Sequence, residues 1–169
     1  FRSLVKYWLP VLLWMILIFS ASTDTLSSSN TSRIIGPLLH WFYPEVSEET
    51  VSLVQTLVRK SGHLTEYAVL ALLVWRAIHK PVKGEFRPMR WPESAMTLLL
   101  VLVYAAGDEF HQSFVPSRQG SLGDVSLDIC GAAAGLLALW LWRFRREPRF
   151  VLTPGSAGVP PATSFESIR

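Results

Sequence analysis

A single cysteine, Cys130, in 169 residues rules out an intramolecular disulfide and any zinc site built on several thiolates. Charge is scarce as well. Only 17% of the residues are Asp, Glu, Lys or Arg, against 50% hydrophobic, a poor balance for a soluble domain of this size. No internal repeat runs through the chain, which sets stacked-repeat architectures aside. The small net charge of +3 comes from cations beside apolar segments rather than among aromatics on one surface, so nucleic acid is not an expected partner.

What the chain has in abundance is apolar residues gathered into blocks: Leu4 to Ser20, Leu64 to Ile78, Ala95 to Ala105 extended toward Val115, and Val125 to Trp142. With its flanks, each approaches the roughly 20 residues a helix needs to cross about 30 Å of hydrocarbon. The pattern predicts an all-α fold, an integral membrane bundle of four transmembrane helices at about 4–22, 60–79, 94–115 and 122–144, within a domain of residues 1–146. Residues 147–169 include "TPGSAGVPPATSFE", a Pro-, Gly- and Ser-rich tail expected to be disordered. Arg2, Lys6 and the small residues of "FSAS" also fit a signal peptide around the first block. The other three spans do not depend on that choice.

Cations cluster at Arg2 and Lys6, between the second and third blocks (Arg76, Lys80, Lys83, Arg87, Arg90), and after the fourth (Arg143, Arg145, Arg146, Arg149). The other two connections carry only Arg33, Arg59 and Lys60, then Arg118. The positive-inside tendency then puts both termini in the cytoplasm of a multi-pass protein, with the first and third connections outside. In the first connection, "TDTLSSSNTS" reads as loop and Glu45 to Lys60 as a helix that either leads into the second span or lies on the outer interface. Trp8, Trp41, Trp91, Trp140 and Trp142 read as interface anchors, His40 and His79 as interfacial, and Cys130 as small packing.

Polar residues inside the spans fall into stripes. Arg59, His63, Glu66 and Tyr67 share one helical face, as do Tyr104, Asp108, His111 and Gln112, with Glu109 offset. Asp124 and Asp128 are one turn apart and continue into Gly131 and Gly135, a small-xxx-small pair that permits close helix approach. At 1.5 Å per residue, Glu66, Asp108 and Asp128 each sit about 9–10 Å below the outer end of their span. Unpaired acids at that depth cost at least about 2.5–3.5 kcal/mol by insertion scales. The stripes are therefore expected to face one another around an outward-opening polar pocket. Arg59, Arg118 and the two histidines are the expected partners, and "FVPSRQGSLGD" the rim.

These words, "RKSGHLTEYAVLALL" from Arg59, "DEFHQSFVPSRQGSLGDVSLDICGAAAG" from Asp108 and more loosely "ILIFSAS" from Ile16, resemble the VanZ-like family of bacterial membrane proteins. The resemblance implies a place in the inner (plasma) membrane of a bacterium and a link to low-level resistance to the glycopeptide teicoplanin, with no reaction established. Carried over by position, its motif residues are Arg59, Lys60, His63, Glu66, Tyr67, Asp108, Glu109, Gln112, Pro116, Arg118, Gly120, Asp124, Asp128 and Gly131. The first loop departs from the pattern, with Thr23-Asp24 after the serines.

Several functions fit these residues. One is recognition or processing of an amphiphilic envelope molecule, such as a lipid-linked cell-wall precursor or a glycopeptide. Arg59, Lys60 and Arg118 would bind an anionic headgroup, with His63, Tyr67, Gln112 and Asp124 beside them. Any catalysis would fall to Glu66, Asp108, Glu109 and Asp128. A second reading is a metal-dependent membrane hydrolase, with a divalent metal on His63, Glu66, Asp108, His111 and Asp128 and Glu109 as base. Ion or proton transport is weakened by inner span halves that hold no titratable relay except Tyr104. A purely structural polar network is the remaining alternative.

Overall fold

The computed structural model describes residues 2–22, 28–81, 87–114 and 121–146. Its elements are five α-helices, α1 (Arg2–Ala21), α2 (Ser28–Phe42), α3 (Glu48–His79), α4 (Trp91–Gln112) and α5 (Leu122–Arg146), with no strand among the described residues. The fold is all-α, as the block pattern requires. The Pro-, Gly- and Ser-rich tail expected to be disordered lies outside the described residues.

One element differs from the sequence reading, and for another the structure decides between two readings. The Ser- and Thr-rich stretch expected as loop contributes its second half to α2, Ser28–Phe42. The segment Glu45 to Lys60 and the second span are one helix of 32 residues, α3. Its start is specified locally: Ser47 Oγ accepts from the Thr50 amide at 3.3 Å, and Glu48 and Glu49 occupy the first turn, where acids complement the helix dipole. Ser61-Gly62 looks like a break, yet helix runs straight through it, because neither residue removes a hydrogen bond as proline would. α3 ends at Lys80, whose left-handed backbone (φ 47°) lets its amide bond to Arg76 O at 3.0 Å.

α3 is the central rod, in contact with each of the other four helices and most extensively with α5. The two backbones approach through glycine. A Cβ on Gly131 would lie 2.5 Å from Leu64 O, and one on Gly135 2.9 Å from Ala68 O, so only glycine fits this seam. Around it Leu70, Ala71, Val74 and Trp75 of α3 pack with Val101 and Ala105 of α4 and Ala132 and Leu136 of α5. α1 is tied across by Trp14 Nε1 donating to Glu66 O at 2.9 Å and by Tyr104 OH donating to Met15 O at 2.6 Å.

Two segments, Leu4–Ala21 and Leu122–Arg145, are long and apolar enough to cross a membrane. The polar residues along α3 and α4 hold those helices below the same measure. Two minor expectations are corrected. Cys130 is exposed rather than packed inside, since the face of α5 that meets α3 is that of Gly131 and Gly135. His79 is buried, stacked on Trp75 at 4.4 Å and paired with Glu93 at 2.7 Å.

Candidate functional site

The polar stripes of α3, α4 and α5 converge near the end of the bundle where α1 finishes. Asp108, only 3% exposed, is the hub on α4. Its Oδ2 accepts from Ser22 Oγ at 2.9 Å, from Gln112 Nε2 at 2.9 Å and from Tyr67 OH at 3.3 Å. Gln112 Nε2 also reaches Ser22 Oγ at 3.1 Å. Helical spacing places Gln112 one turn after Asp108 on the same face. Side chains from α3, from α4 and from the residue after α1 thus meet on one carboxylate oxygen.

Beside this hub lies a second group. His63 Nδ1 is 3.2 Å from Asp128 Oδ1, and Asp128 is fully buried. Glu109, 5% exposed, accepts from the Ser121 amide through Oε2 at 2.9 Å. One donor atom each from His63, Glu109 and Asp128 lies within 4.8 Å of the others. Asp124 is half-buried and close enough to interact electrostatically with Glu109 and Asp128.

Each acid uses only part of its bonding capacity. Asp108 Oδ1, Glu109 Oε1 and Asp128 Oδ2 are buried without a hydrogen-bond partner among the described residues. Leaving a buried acceptor unmet costs about 1–3 kcal/mol, more when it is charged. Three such oxygens are a concentration of acceptor capacity that the described residues do not use. A species that brings donors or positive charge would be held there.

The remaining expected site residues are placed as follows. Tyr67 is buried in the hub. Glu66 is half-buried, and its backbone carbonyl anchors Trp14. His111 packs its ring on Phe19 at 4.4 Å and is not a member of the His63, Glu109 and Asp128 group. Arg59 and Lys60 are exposed, while Arg118 lies outside the described residues. Among the described residues, Asp128 is paired by His63 and Asp108 Oδ2 by neutral donors. Ser22 was not anticipated. Its one sequence signal is a polar residue just after an apolar span, in "FSAS".

A groove of ≈ 580 Å³ opens at the hub. Gly107 and Asp108 stand at its polar end, and Phe19, Met15, Leu12 and Trp8 carry it along α1 against Leu70 and Val74 of α3. Apart from the Asp108 end its walls are almost wholly apolar.

A family model described as VanZ/LLP1 matches residues 7–143. The chain belongs to the VanZ/LLP1 family. The matched stretch takes in the hub, the His63, Glu109 and Asp128 group, and the groove. No curated protein and no solved structure matches the chain. For this VanZ/LLP1 domain, the arrangement of its own side chains therefore has to supply the chemical reading.

Proposed function

We propose that the chain is a four-span protein of the bacterial inner membrane whose outward-facing polar site binds or processes an amphiphilic molecule of the cell envelope, in the setting of glycopeptide (teicoplanin) resistance. The observation that supports this most is that an apolar groove reaches a buried acid cluster at Asp108: a ligand with a polar head and a hydrocarbon tail suits that combination. The unmet oxygens of Asp108, Glu109 and Asp128 accept hydroxyl or ammonium donors on a head such as a sugar or amine. Arg59, Lys60 and Arg118 supply cations for a phosphate. The groove along α1 takes the tail.

Four membrane crossings are supported by an inverted distribution of polarity. Asp128 is 0% exposed, while Leu99, Val103, Leu137 and Leu141 on the outer faces of α4 and α5 are 43–64% exposed. Water would favour the opposite arrangement, whereas hydrocarbon favours this one. α3 is longer than a bilayer core needs, so its first turns would stand outside with α2 against them. Both termini are then cytoplasmic. Single cysteines at positions 60 and 118, in a Cys130→Ser background, should react with an impermeant maleimide from the same, outer side; labelling from opposite sides would refute the topology.

The ligand reading is tested with a fluorescent polyprenyl pyrophosphate and the full chain in nanodiscs. Met15→Trp, which fills the groove, and Arg118→Ala, which removes a headgroup cation, should each weaken binding by about tenfold or more. Affinity unchanged by both substitutions would remove the reading.

A further inference from the structure

We infer that His63, Glu109 and Asp128 form a binding site for one divalent transition-metal cation. The sequence stripes pointed to His63, Glu66, Asp108, His111 and Asp128 as ligands, with Glu109 as a base rather than a ligand. The folded chain selects a smaller set, one residue from each of α3, α4 and α5.

The distances suit a metal. In a tetrahedral zinc site, ligand atoms about 2.0–2.2 Å from the metal lie about 3.3–3.6 Å from one another. The His63 Nδ1 to Asp128 Oδ1 separation of 3.2 Å is close to that spacing. One donor atom from each of the three lies within 4.8 Å of the others, so a bound ion draws the wider pairs inward by no more than about 1.5 Å. An imidazole nitrogen with two carboxylates is a donor set that zinc, iron or manganese accepts.

Burial and charge point the same way, independently of spacing. Asp128 is 0% and Glu109 5% exposed, and each keeps one buried oxygen without a partner among the described residues. Two carboxylates beside a neutral imidazole leave two negative charges that a divalent cation neutralises. A lone protonated histidine would neutralise half of that. Glu109 is also held in place, because the Ser121 amide fixes Oε2 and leaves Oε1 for the ion, the kind of outer support that orients metal ligands. Binding through His63 Nδ1 requires a neutral imidazole with its proton on Nε2 and ionised carboxylates, and any further proton is released to solvent as the cation enters.

The metal would occupy carboxylates of Glu109 and Asp128 that the amphiphile reading also offers to a headgroup, and the assay contains no added amphiphilic ligand, so either reading can fail without the other. The full chain, stripped with chelator and purified in detergent, is titrated with Zn²⁺ alone by calorimetry. One Zn²⁺ per chain is expected, with affinity lowered at least about tenfold by Asp128→Asn and by Glu109→Gln. Glu93→Gln, at the other buried His–carboxylate pair, and His40→Ala, at the exposed pair His40–Glu48, should leave it unchanged. No stoichiometric binding, or loss on His40→Ala instead of Asp128→Asn, overturns the site. Should the site variants fail to fold, Cu²⁺ bound to His40→Ala protein with its other residues intact must show nitrogen coupling from one imidazole in its electron paramagnetic resonance spectrum. Absence of that coupling overturns the site as well.

Discussion

At one end of the bundle His79 Nδ1 and Glu93 Oε2 lie 2.7 Å apart, Trp75 stacks on the same imidazole, Arg143 sits over the Trp75 ring at 5.3 Å and donates to Arg87 O, and Tyr7 OH donates to Pro81 O at 3.1 Å. At the other end His63 meets Asp128 at 3.2 Å, and Asp108, Glu109 and Asp128 each keep a buried oxygen unmet among the described residues. Both ends use a histidine–carboxylate pair between helices. The first commits its acid to the imidazole and joins helices; Trp75 Nε1 and Arg143 Nε find no acceptor among the described residues, but both are donors, and the Arg143 guanidinium bonds Arg87 O through its Nη2. The second keeps three carboxylate oxygens unmet among the described residues. Structure-building polar groups are usually satisfied, so the difference separates a joint from a site.

The comparison can be broken most severely at the seam that serves both ends. Gly131→Val should cost at least about 3 kcal/mol, because its side chain meets the Leu64 backbone, which has no flexible end to yield. Thermal melting of the purified chain in detergent would register this as loss of the folded species. A fall no larger than that of an exposed alanine-to-valine change would contradict the close approach.

A finer test sets the two acids against each other. Glu93→Gln should lower stability by about 1–2 kcal/mol, since it removes the charge that assists the bond to His79. Glu109→Gln should leave metal-free protein as stable or more stable by up to about 1 kcal/mol, since it removes a buried charge that has only one hydrogen bond. Melting both variants after chelator treatment decides it, and the same sign for both would erase the distinction. The smallest effect belongs to Cys130→Ser. An exposed side chain on α5 should change stability by less than about 0.5 kcal/mol, which makes that variant a sound background for labelling.

The helices built on apolar blocks were legible from sequence because hydropathy and length suffice to mark them. α2 was not, since "SSNTS" has weak intrinsic helix preference and its helicity comes with packing on α3. Asp108, Tyr67, His63 and Asp128 were legible in the site because helical spacing puts each on a stripe with other polar residues. Glu109 sits off its stripe and still faces the group. α4 packs on both α3 and α5, so two of its faces are interior, a fact that one-helix periodicity does not contain. Ser22 was hidden for another reason: it follows the end of α1, where only the path of the chain brings it to Asp108. Arg59 shares a face with His63 and Tyr67 but is exposed, one turn nearer the start of α3, which helical spacing alone does not tell.

The glycine seam also decides which way the bundle is able to breathe. With Leu64 and Ala68 carbonyls already at the limit of approach to α5, neither twisting nor wedging is available between those two rods, and they travel as one body. α1 is fastened instead by side chains: hydrogen bonds through Trp14, Tyr104 and the Ser22 that follows it, and the buried Val11 and Ile18. Of the rods that wall the groove, α1 is thus the one whose hold on α3 rests on side chains, where α5 meets α3 backbone to backbone.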